Sequence, residues 1–75
     1  MSDLLERITI DHERMHGRPC IRGLRITVAD VLSLLSAGDT REQILADYPY
    51  LESADIDAAL AYAASLADRS IIAAK

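Results

Sequence analysis

The residues best equipped for chemistry are crowded between His12 and Thr27. Four arginines, Arg14, Arg18, Arg22 and Arg25, stand there against one acid, Glu13, so the segment carries 4 - 1 = +3 while the 75-residue chain carries -4. A guanidinium offers a planar fork of donors that matches a carboxylate or a phosphate. These four are therefore the candidate contacts to an anionic partner, and the competing reading is that some of them tie down their own hairpin through Asp11, Glu13 or helix carbonyls. His12 and His16 have the i, i+4 spacing of two metal ligands on one helix face, but Gly17 and Pro19 interrupt any helix through this stretch. No metal site and no cofactor are expected. Cys20 lies among these cations, which would lower the pKa of an exposed thiol. Free cysteine is more often a small buried apolar residue, and that is the expectation here. No catalytic residue and no enzyme is predicted.

The elements that must position these residues can be read from spacing. Ile8-Thr9-Ile10, Cys20-Ile21 and Arg25-Ile26-Thr27-Val28 are short β-prone pieces punctuated by Gly17, Pro19 and Gly23, which predicts one or two small β-hairpins over about 8–27. From Val28 the period changes. Val28, Val31, Leu32 and Leu35 fall at i, i+3, i+4 and i+7, with Thr27 as N-cap, Asp30 three residues on and Gly38 as a stop, which predicts a helix over about 28–37. Thr40-Arg41-Glu42-Gln43 has the form of a capping box, and Pro49 disfavours helix at Tyr48, so a second helix spans about 40–48. A third runs over about 53–72, capped by Ser53, with Asp55 and Asp57 in its first turn and Ile56, Ala59, Leu60, Ala63 and Ala67 as its apolar stripe. Asp55, Asp57, Ser65 and Asp68 are expected on its exposed side.

Length and composition bound the rest. A chain of 75 residues makes one small domain that buries roughly 60% of the surface its unfolded form exposes. Its apolar content of 51% comes from aliphatic residues, with no Trp, no Phe and three tyrosines, so the core must be thin. One cysteine excludes an internal disulfide and fits a reducing, cytoplasmic setting. No apolar run reaches the length of about 20 residues that spans a bilayer, and the acids of MSDLLERITI stand where a secretory signal would carry bases, so no membrane partner is expected. The negative body repels phosphate at long range, leaving the arginine segment as the one candidate for nucleic acid. The second and third helices could form a helix-turn-helix, or the three could form a plain bundle with no DNA-binding use.

Along Ile8 to about Ala64 the chain also resembles the domain-of-unknown-function 433 family. The resemblance lies in Ile8-Thr9-Ile10-Asp11, in Gly17-Arg18-Pro19-Cys20-Ile21-Arg22-Gly23, in Arg25-Ile26 and Val28, and further on in Ala37-Gly38, Ile44-Leu45, Tyr48-Pro49, Leu51 and Ile56. Leu24, His12 and His16 depart from it, standing where the family mostly has Thr, Pro and Gly. The resemblance implies a mainly α, homeodomain-like or winged helix-turn-helix domain with a short N-terminal β-hairpin. It also implies an antitoxin of the VapB type that neutralises a PIN-like ribonuclease toxin and represses its own operon by binding operator DNA.

On this reading Arg14, Arg18, Arg22 and Arg25 are the toxin- or DNA-contacting candidates, since a guanidinium placed among the nuclease's metal-binding carboxylates would compete with the metal. A homodimer would double the cationic surface, with Ile8, Ile10, Tyr50, Tyr62, Ile71 and Ile72 as interface candidates. A stand-alone helix-turn-helix regulator without a toxin and a structural interaction module are the alternatives.

Overall fold

The computed structural model describes residues 4–13 and 15–69. A single 3-10 turn, Leu5–Arg7, leads into β1 (Ile8–Thr9), which pairs antiparallel with β2 (Cys20–Ile21) in the register Ile8 to Ile21 and Thr9 to Cys20. Three helices follow, α1 (Val28–Ser36), α2 (Arg41–Asp47) and α3 (Ser53–Arg69). The fold is mainly α with a small N-terminal hairpin, and among the described residues no helix is long and apolar enough to cross a membrane.

A second, tighter hairpin follows β2. Leu24 N–H donates to the Ile21 carbonyl at 2.7 Å across Arg22 and Gly23, whose φ angles of 47° and 72° are those of a type I′ turn. Ile21 N–H then reaches the Ile26 carbonyl, and Cys20 bridges Thr27. The longer link between β1 and β2 contains Met15–Gly17, a turn in which all three residues have positive φ, 53°, 58° and 77°. Only the last is a glycine, so Met15 and His16 hold a left-handed backbone against its usual cost.

The helix signals act as the sequence indicates. Thr27 with Asp30, and Thr40 with Gln43, form complete capping boxes. Past α1, Gly38 at φ 102° donates to the Leu35 carbonyl and Asp39 to the Leu34 carbonyl, a Schellman ending. Pro49 sits at the second position of a turn closed by Leu51 N–H on the Tyr48 carbonyl. The third helix starts differently. Ser53 is already helical, and its hydroxyl accepts from Arg41 at 2.9 Å instead of capping the helix. The reciprocal bond comes from Asp55, whose carboxylate takes the Glu52 N–H at 2.8 Å. Residues 70–72 of the expected third helix lie outside the described residues.

Ile21, Ile26, Val28, Val31, Ile44, Leu51, Ile56 and Ala59 form the core, with Leu32, Leu35, Leu45, Tyr48 and Tyr62 packed around it. The phase of α3 corrects its expected stripe. Asp55, Ile56, Ala58 and Ala59 are buried, Leu60 is 43% exposed and Ala67 is exposed. The helix is rolled so that its first-turn acid, and not Leu60, points into the protein.

Candidate partner-binding surface

The three described arginines of this segment, Arg18, Arg22 and Arg25, do not form one patch. Arg22 turns inward from its type I′ turn: Nε donates to Asp55 Oδ1 at 3.0 Å, and Nη2 donates both to Asp55 Oδ2 at 2.8 Å and to the Tyr50 carbonyl at 2.9 Å. Arg7, which the charge pattern does not single out, donates through Nη1 to Asp55 Oδ1 and to Glu52 Oε1, both at 2.9 Å. Two guanidiniums and two carboxylates thus close into a neutral cluster. Asp55 at its centre has no exposed surface, which corrects its expected place on the outside of α3.

Four hydrogen bonds satisfy both oxygens of that carboxylate. Burial by itself would raise the Asp55 pKa, but the bonds from Arg22, from the Glu52 N–H and from Arg7 outweigh it and hold the group at about 2, below its ordinary 3.8. The same bonds raise the arginines: chiefly Glu52 acts on Arg7 and Asp55 on Arg22. The cluster clamps the N-terminal turn and the I′ hairpin to the start of α3. For Arg22, the self-binding alternative holds, although the acid it uses is Asp55 and not Asp11 or Glu13.

Arg18 and Arg25 differ from it. Both are exposed, and neither side chain makes a hydrogen bond or ion pair among the described residues. Each borders its own groove. Arg18 and Pro19 close one end of a groove of about 420 Å³ between α1 and α3, walled by Val28, Ala29 and Leu32 on one side and by Tyr62, Ala63 and Leu66 on the other. Arg25 borders a smaller depression with Asp30, Ser33, Tyr48 and Tyr50. Arg14 lies outside the described residues.

Of the interface candidates, Ile10 and Tyr50 are 53% and 51% exposed. Tyr50 also meets Tyr48 edge to face, with ring centroids 6.1 Å apart. Ile8 and Tyr62 are half-buried against the core, and Ile71 and Ile72 lie outside the described residues. Cys20 is buried, with its thiol donating to the Arg18 carbonyl at 3.3 Å.

The arrangement of hairpin, three helices and arginine-glycine turn coincides with the span of a known sequence family. The family model described as "Protein of unknown function (DUF433)" matches residues 8–63. The chain belongs to the DUF433 family. No curated protein and no solved structure matches it. Within the DUF433 span, Arg22 and Asp55 are joined across 33 positions, whereas Arg7 lies one residue before it.

Arg7, Leu66 and the paired role of Asp55 are what sequence reasoning missed. One signal was available for Asp55, since it is in phase with Ala59 and Tyr62 at i+4 and i+7 and so falls on the core face. An acid in that phase has to be paired.

Proposed function

We propose that this protein is the antitoxin of a toxin-antitoxin pair, holding a PIN-like ribonuclease inactive through guanidinium contacts to its metal-binding carboxylates. The observation that carries the reading is the division of labour among the arginines. Arg22 and Arg7 are spent on Asp55 and Glu52, while Arg18 and Arg25 keep exposed cations with no bond among the described residues on a chain of net charge -4. Two exposed guanidiniums with no internal function are suited to bidentate pairing with a carboxylate-rich site. A copy of the chain on each side of a twofold axis would present two such sets.

The same geometry weighs against α3 as a DNA-reading helix. Its amino end, the part of a recognition helix that meets base edges, is occupied by the Arg7-Asp55-Arg22 cluster and by Asp57 paired with Arg41 at 2.9 Å. Operator binding, if the assembly has it, falls to Arg18 and Arg25.

Co-expression with the nuclease encoded in the adjoining reading frame, followed by size-exclusion chromatography and a growth assay, tests the reading. A co-eluting complex that restores growth is expected, with protection reduced by the double substitution Arg18→Ala and Arg25→Ala. Separate elution and no protection would remove the proposal.

A further inference from the structure

We propose that the cup lined by Arg25, Ser33, Tyr48 and Tyr50 receives a carboxylate side chain of the nuclease, and that Arg22 is the residue that positions it. This rests on the antitoxin reading and deepens it by naming where on the chain the nuclease's acid is held.

The cup, of about 280 Å³, lies where three segments meet. Arg25 and Ile26 come from the second hairpin, Ser33 and Leu34 from α1, and Tyr48 and Tyr50 from the end of α2 and the turn after it. Ile26 is buried and Leu34 half-buried, so the apolar side of the cup strengthens any polar contact made against it. Arg25, Ser33, Tyr48 and Tyr50 each carry a side-chain donor, and none of these donors has an acceptor among the described residues. The one acid that lines the cup, Asp30, is already engaged, since its Oδ2 accepts the Thr27 N–H at 3.0 Å. Donors are in surplus there. An incoming group must therefore bring acceptors, and a planar, negatively charged one fits the guanidinium fork of Arg25. Tyrosine and arginine around a sheltered centre are also the residues on which protein interfaces concentrate their binding energy.

Arg22 sets the width of this cup. It stands three residues before Arg25 on the same hairpin, in a left-handed conformation with φ 47°. Its Nε and Nη2 donate to the two oxygens of Asp55, and Nη2 also donates to the Tyr50 carbonyl at 2.9 Å. Tyr50 occupies the third position of the turn that Leu51 N–H closes on the Tyr48 carbonyl. One guanidinium thus ties the hairpin that carries Arg25 to the turn that carries both tyrosines. Asp55, which has no exposed surface, holds that guanidinium from the other side. A lysine at this position keeps the charge against Asp55 but has no fork with which to reach both the carboxylate and Tyr50.

The experiment uses the full chain with the nuclease encoded beside it, measured by calorimetry. Arg25→Gln, which keeps donors and loses the charge, and Ser33→Asp, which puts a like charge in the cup, should each weaken the complex about tenfold or more. Ala46→Asp, an acid added at an exposed position of α2 that does not line the cup, should leave affinity nearly unchanged. Arg22→Lys should also weaken binding, and in its background Arg25→Gln should cost clearly less than in the wild type, because the cup has already lost its shape. Pro49→Ala, which loosens the same turn without touching Asp55, should behave like it. Melting temperatures above that of the assay confirm that each variant folds. A complex that Arg25→Gln and Ser33→Asp leave equally tight overturns the cup and spares the antitoxin reading. Full additivity of Arg22→Lys with Arg25→Gln overturns the positioning role. Variants that lose operator DNA in a gel shift while keeping the nuclease make a phosphate the occupant and overturn the proposal too. Failure of the wild-type chain to bind the nuclease removes the antitoxin reading and the cup assignment together.

Discussion

Asp55 holds more of the structure than any other charged residue described. It is a fully buried carboxylate whose four hydrogen bonds come from three separate places in the chain: Arg7, the Arg22 turn and the Glu52 N–H. Taking such a charge out of water is costly, and its arrangement is tolerable because both oxygens are satisfied. Removing the carboxylate leaves two guanidiniums facing each other at a half-buried site. Asp55→Ala should cost about 3 kcal/mol or more, a large share of the stability of so small a domain, seen as an early urea midpoint.

The pH dependence follows from the same group. Its folded-state pKa of about 2 lies below the ordinary 3.8, so its stabilisation is complete above about pH 5 and is lost as pH falls through 4 towards 2. The loss is on the order of 2 kcal/mol. Denaturation followed between pH 6 and pH 2 should show this slope, and Asp55→Asn should lack that component while being less stable at neutral pH. The sequence announces an acid in the first turn of a helix, which the helix dipole already explains. That the acid would turn inward depends on partners 48 and 33 residues away, and no local rule reaches so far.

At the scale of elements, local chemistry is decisive and was legible. Thr27, Thr40 and Gly38 satisfy backbone groups of their own turns, so the information lies within four or five residues of where it acts. Thr27→Ala and Thr40→Ala should each lower stability by about 1 kcal/mol. Gly38→Ala should do comparable harm for a different reason: space is open around a Cβ there, but φ is +102°, an angle that L residues rarely adopt. Thermal melts of the three variants check both statements. The β1–β2 pairing was legible as a tendency only. Its register, Ile8 to Ile21, is set by Arg22 N–H on the Arg7 carbonyl and Gly23 N–H on the Thr9 hydroxyl, contacts between segments more than a dozen residues apart. The roll of α3 was misread because alanine satisfies the helix period in nearly any phase, so Leu60 and Ala67 fitted a stripe as well as Ala58 did.

At the scale of the whole molecule, the ion clusters leave the described cations unevenly distributed. Arg7 and Arg22 are consumed by Glu52 and Asp55, and Arg41 by Asp57 and the Ser53 oxygens, while Arg18 and Arg25 face outward at separate grooves. A complex built on these two cations should be salt-sensitive. Its dissociation constant should rise about tenfold between roughly 50 and 500 mM salt, mainly through slower association, and the rise should flatten in the Arg18→Ala, Arg25→Ala variant when binding is followed by surface plasmon resonance.

By itself the sequence determined the three helices, the caps of α1 and α2, the hairpin region and the family, because each is written in neighbouring residues and in a fixed order of glycines, prolines and arginines. Tertiary structure alone decided which of the described arginines are tied to the protein's own carboxylates and which are not. Arg18, Arg22 and Arg25 are similar side chains that no local rule tells apart, and they become different only when α3 delivers Asp55 to Arg22.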